Sequence, residues 1–152
     1  MYSFQWLEAL AHVATTVTAG AVLLAWWQIR EAKKQALTTF EDSLAREYRE
    51  IAQRLPIAAL LGEDLDKAQQ DKALEKFFHY IDLSNEQAFL RLSGRVSAET
   101  WNNWRDGIKS NLSKPAFKKG WEEIKRRAPE SFSELRRLEA SQFRDDPRNW
   151  RN

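Results

Sequence analysis

Between Glu8 and Arg30 the chain runs for 21 residues without a formal charge, ALAHVATTVTAGAVLLAWWQI. As a helix this stretch is about 31 Å long, close to the ~30 Å hydrocarbon thickness of a bilayer. Trp6 stands at one end and Trp26 and Trp27 at the other, where amphipathic rings favour the interface. Arg30, Lys33 and Lys34 follow at once, then Arg46 and Arg49, and no Lys or Arg precedes the stretch. The positive-inside rule then places the C-terminal part in the cytoplasm.

Three other readings are weaker. A cleaved signal peptide needs a basic leader, which residues 1–7 lack, and the Ala19-Gly20-Ala21 triplet is followed by further apolar sequence. A buried core helix would have to be covered on all sides by a small domain. An interfacial amphipathic helix needs a charged face, and there is none. The sequence therefore predicts a membrane span over 9–29 and a short extracytoplasmic N-terminus, 1–8. A cytoplasmic α-helical domain over 30–144 and a polar tail over 145–152 follow, in the cell (inner) membrane. Ala14, Thr18, Ala21 and Ala25 fall at i, i+4, i+7 and i+11, a face of small side chains on which two spans could pack. His12 lies near the outer boundary, as an interfacial His.

Beyond residue 29 the character reverses. Residues 1–29 hold one charge, Glu8; the other 123 residues hold 45, of which 24 are basic. Leu37, Phe40, Leu44, Tyr48, Ile51 and Leu55 repeat at steps of three and four, a helical stripe that Pro56 ends. It either packs on the chain's own domain or continues a membrane dimer as a short coiled coil, making a homo-oligomer through residues 9–55. Ile57 to Leu61 make one apolar turn, and Glu63 to Asp71 read as a loop or a frayed helix start. A helix over 71–93 presents Phe77, Phe78, Ile81, Ala88, Phe89 and Leu92 as its buried face, and Gly94 stops it. Ser97 caps a helix carrying Trp101, Trp104, Ile108 and Leu112. Pro115 opens another with Phe117, Trp121 and Ile124, and a last helix carries Phe132, Leu135 and Leu138. No strand pattern occurs, so the fold class is all-α. Aromatics that each bury on the order of 150–250 Å² suffice to close a small core.

The run from Phe77 to Trp121 resembles the helical region of uncharacterised bacterial proteins that join one N-terminal span to a small α-helical cytoplasmic domain. The residues that carry the resemblance are the Phe77-Phe78 pair, Glu86, the Gly94-Arg95-Val96 turn, Trp104, and Pro115 followed by Phe117 and Trp121. It implies membrane attachment and a helical fold, brings no catalytic residues, and leaves signalling or phage defence as the setting.

The chemistry on offer is sparse. The absence of Cys removes thiolate metal sites, disulfides and a Cys nucleophile, and two His exclude a three-His centre. His79, Asp82 and Glu86 share one helix face and are the single candidate metal or catalytic centre; without a second His-bearing cluster, a solvated face ranks first. The carboxylate pairs Asp64/Asp66, Glu122/Glu123 and Asp145/Asp146 read as solvated rather than as acid–base pairs. No phosphate loop or nucleophile elbow occurs, so no cofactor is expected. From Lys114 onward there are eleven Lys/Arg against seven Asp/Glu, with Lys118, Lys119, Lys125, Arg126 and Arg127 clustered around Trp121. A solvated face ranks first for this cluster, with contact to anionic lipid or a protein partner second and nucleic acid third. The reading is a non-enzymatic, membrane-tethered interaction or regulatory module. The alternative is an anchored effector acting on nucleic acid or nucleotide.

Overall fold

A computed structural model describes the backbone of residues 3–151 and the side chains of residues 21–150. The described chain is all-helical. Its elements are α1 (Ser3–Arg54), α2 (Ile57–Leu61), α3 (Lys67–Ser93), α4 (Ala98–Ser113), α5 (Pro115–Arg127), α6 (Ser133–Ala140) and a terminal 3-10 helix, Pro147–Arg151. Two compact units divide it, residues 1–40 and 41–152.

In the first unit Val22, Leu23, Leu24, Trp26, Trp27 and Ile29 are all more than half exposed. Arg30 lies over the Trp26 ring, 5.5 Å from its centroid. Among the described residues no helix is long and apolar enough to cross a membrane. Residues 9–20 of the predicted span fall outside the side chains described, as do Ala14, Thr18 and His12.

The second unit is built around α3, which packs against α4, α5, α6 and the terminal 3-10 helix. α3 starts at Lys67, earlier than the apolar pattern predicts, because Asp66 forms a capping box. The Gln69 N–H donates to Asp66 Oδ1 at 2.8 Å, and the Asp66 N–H donates to Gln69 Oε1 at 3.1 Å. Gly94 ends α3 in the left-handed region at φ 76°, where a Cβ would run into the Arg148 guanidinium. Phe77, Tyr80, Ile81, Ser84 and Ala88 are buried. Phe78 and Phe89, predicted on the buried face, are instead 42% and 47% exposed. Adjacent helical residues diverge by about 100°, so Phe77 and Phe78 cannot both point inward.

α5 lies close against α3 because Gly120 leaves room. A Cβ there would stand 2.9 Å from Phe77 Cγ. Phe117 meets Phe77 and Tyr80 edge-on, each at 5.1 Å between centroids. Phe132 precedes α6 at φ 64°, a strained conformation for a non-glycine residue. Edge-on contacts to Phe78 and Trp121 hold its ring, and Asn85 Oδ1 accepts from the Leu135 N–H at 3.1 Å. That bond supplies the cap α6 lacks.

Residue Lys114 alone joins α4 to α5, as C-cap of one and N-cap of the other. Its ammonium donates to Leu60 O at 2.7 Å and to Asn111 Oδ1 at 2.8 Å. Of the segment predicted as a polar tail, 145–152, the described residues 145–150 are instead docked. Asp146 takes a two-pronged bond from Arg91 at 2.8 and 2.6 Å, Pro147 is fully buried, and Arg137 stacks 4.5 Å from the Trp150 centroid. Charge pairing and aromatic stacking, which hydropathy does not weigh, hold this end of the chain.

Candidate functional site

α1 from Glu41 to Arg54 belongs to the globular unit, with Leu44 buried and Tyr48 at the surface. Glu41 anchors it at the start of α4: the Ser97 N–H and the Thr100 hydroxyl donate to its two carboxylate oxygens at 2.8 and 2.7 Å. Carboxylates are favoured there because the unpaired N–H groups of a helix N-terminus carry partial positive charge. Two concavities form where this part of α1 meets α3.

The first, about 220 Å³, is lined by Glu47, Glu50, Arg54, Lys76, His79, Asp82 and Glu86, over Ile51 and Leu83. It contains the predicted trio His79, Asp82 and Glu86. Burial and the like charges of Glu47 and Asp82 push the Glu86 carboxyl above its ordinary value. His79 leans toward Glu75, with Nε2 3.9 Å from Oε1, and over half of its side chain is exposed. Among the described residues no three His, Asp or Glu side chains converge as metal ligands. The trio lines a charged groove.

The second, about 300 Å³, lies between α1, α3 and α4. Tyr48, Tyr80 and Trp104 supply aromatic walls, with Ala45 and Ile108; Gln87, Asn103 and Arg49 supply polar groups, and Gly107 lies on α4. Tyr80 is held by Asn111, whose Nδ2 donates to its hydroxyl at 3.1 Å, and that amide is fixed in turn by Lys114. Burial raises the Tyr80 hydroxyl well above the usual phenol range, so it stays protonated. Gln87 is 3% exposed and makes no hydrogen bond to another described residue; the little surface it keeps includes its amide, which is not among the buried polar atoms left without a partner. Nothing stands within 4 Å of where a Gly107 Cβ would be, so packing does not demand this glycine.

Sequence reasoning missed this pocket. Two signals were present: a glycine inside an amphipathic helix, which costs about 1 kcal/mol against Ala, and a Gln on the inward face of α3. Trp104, expected in the core stripe, is instead half-buried in the pocket wall.

The basic cluster is largely neutralised. Lys119 pairs with Asp64 at 2.7 Å, Arg126 and Arg127 both grip Glu123 at 2.6 Å, and Lys125 binds Glu122 and Glu139. The two arginines pull the Glu123 carboxyl down to about 2. Lys125 also lies 5.2 Å from the centroid of Trp121, which is 1% exposed and so offers no stacking platform. The carboxylate pairs divide in the same way: Asp66 caps α3, Asp64, Glu122 and Glu123 form ion pairs, and Asp146 holds Arg91. No protein-family model, no curated protein and no solved structure matches this chain.

Proposed function

We propose that the chain is a membrane-tethered, non-enzymatic helical module, with its globular unit at the cytoplasmic face of a bacterial inner membrane. It acts through what that unit holds, a protein partner included. The supporting observation is the band Val22, Leu23, Leu24, Trp26, Trp27 and Ile29. Eight consecutive positions, 22–29, sweep the whole circumference of a helix, and every large apolar side chain among them is more than half exposed. An apolar surface without a polar side is stable in lipid and costly in water. Arg30, Lys33 and Lys34 then suit the anionic headgroup layer.

The test is fractionation of cells expressing the intact chain, followed by labelling of single cysteines introduced into this Cys-free sequence. Recovery in the membrane pellet is expected, with release by detergent and not by high salt. A cysteine at Ser110 should label only after the membrane is opened. Intact protein in a detergent-free high-speed supernatant overturns the reading. Self-association through residues 9–55 is a second reading, favoured by Ala21 and Ala25, which lie uncovered on the small-residue face. Crosslinking in membranes, repeated with Ala21→Leu and Ala25→Leu, checks it.

A further inference from the structure

We propose that the pocket between α1, α3 and α4 binds a free nucleoside monophosphate, its base between Tyr48 and Trp104 and against the Gln87 amide, its phosphate toward Arg49. This reading does not depend on the anchor, since every residue that lines the pocket lies in the unit 41–152.

Four features of the pocket converge on that class of ligand. The cavity of about 300 Å³ suits a ring and its sugar rather than a folded partner. Its walls are aromatic, and stacking on Tyr or Trp accepts any flat heteroaromatic ring. At the wall Gln87 makes no hydrogen bond to a described residue, and its amide keeps contact with solvent, where it offers one acceptor and two donors. Each nucleobase presents an adjacent donor and acceptor on one edge, which a carboxamide matches with two parallel bonds; a purely apolar ligand would leave the amide unmet. Arg49 lies at the lining and makes no ion pair with a described residue, unlike Arg126 and Arg127. A guanidinium takes a phosphate through two oxygens.

Gly107 completes the case. It lies at the lining, is exposed, and is not required by any neighbour in the fold, since a Cβ there would meet nothing within 4 Å. Tyr80, fixed by Asn111, gives the pocket a rigid wall.

The experiment is calorimetric titration of the intact chain, held in detergent micelles, with AMP, GMP, CMP and UMP. Ribose 5-phosphate, inorganic phosphate and a short single-stranded oligoribonucleotide are the comparisons. At least one monophosphate should bind with a Kd below about 1 mM, and ribose 5-phosphate and inorganic phosphate at least tenfold more weakly. Gly107→Leu should abolish binding without lowering Tm, because it fills the cavity and improves helix propensity. Gln87→Leu should weaken binding at least tenfold and leave Tm nearly unchanged, since the amide bonds no described residue; a merely structural Gln would lose stability instead. Arg49→Gln should weaken the monophosphate several-fold and leave the parent nucleoside unchanged. The proposal is overturned if no monophosphate binds, or if ribose 5-phosphate binds equally. It is overturned equally if only the oligonucleotide binds, or if folded Gly107→Leu binds like the parent chain.

Discussion

Trp26 and Trp27 are 58% and 59% exposed, whereas Trp101 and Trp121 are 0% and 1% exposed. The same side chain meets opposite surroundings in the two units, and the neighbouring residues account for it. From Val22 to Ile29 the apolar residues around Trp26 are interrupted by Gln28 alone, so no broad polar side of the helix is left for water. Around Trp121 they recur only at Phe117 and Ile124, while Lys118, Lys119, Glu122 and Glu123 cover the other side. A stripe folds onto a partner helix, whereas a full collar seeks a medium. Aromatic content alone therefore does not identify a core.

Substitutions can break or sharpen this contrast. Trp121→Ala should cost about 3–5 kcal/mol, read by urea unfolding of the intact chain in micelles, because it empties a filled site. A loss near zero would mean the globular unit does not depend on its stripe. Gly120→Ala should cost about 1–3 kcal/mol by forcing a methyl group against Phe77, while Gly107→Ala should be neutral or stabilising by up to about 1 kcal/mol. Equal effects at the two glycines would refute the difference in packing.

Asp146→Ala should cost about 1–2 kcal/mol near neutral pH by releasing Arg91. Arg91 holds the Asp146 carboxyl below its ordinary value. A group whose native pKa lies below the unfolded one stabilises fully above the unfolded value and loses that contribution as pH falls through the native one. The gap between parent and Asp146→Ala should accordingly shrink in acid, as a pH series of unfolding curves would reveal. Glu86 has the opposite sign: its raised value favours the fold below the unfolded pKa, and that benefit fades as pH rises through the native one. The smallest effect belongs to the collar. Trp27→Ala should change the unfolding free energy by less than about 0.5 kcal/mol, yet weaken retention in membranes.

Helix positions were legible wherever a stripe met a punctuating residue. Gly94, Ser97 and Pro115 mark ends in the sequence and fill those roles in the structure. The start of α3 was obscured because its cap lies in an acidic, Gln-rich stretch with little apolar signal. The docked C-terminal end was hidden because Arg91 and Asp146 lie 55 residues apart, and no local pattern links a guanidinium to a distant carboxylate. Of the candidate sites, the His79 face was visible as spacing, though spacing could not reveal that Glu47, Glu50 and Arg54 of α1 share its groove. The aromatic pocket was illegible for a related reason. Its residues come from three helices, and Gln87 stands out only once its burial and its missing partner are known.

Lys114 carries a consequence for anyone who re-engineers the chain. Two helices meet there with no slack between them, and one ammonium ties the joint to α2 and α4. Extra residues at that point would rotate α5 about its axis and turn Trp121 away from its neighbours. New termini, inserted tags or grafted epitopes belong instead between the exposed Glu63 and Asp64 in the connection between α2 and α3, ahead of buried Leu65 and the Asp66 cap.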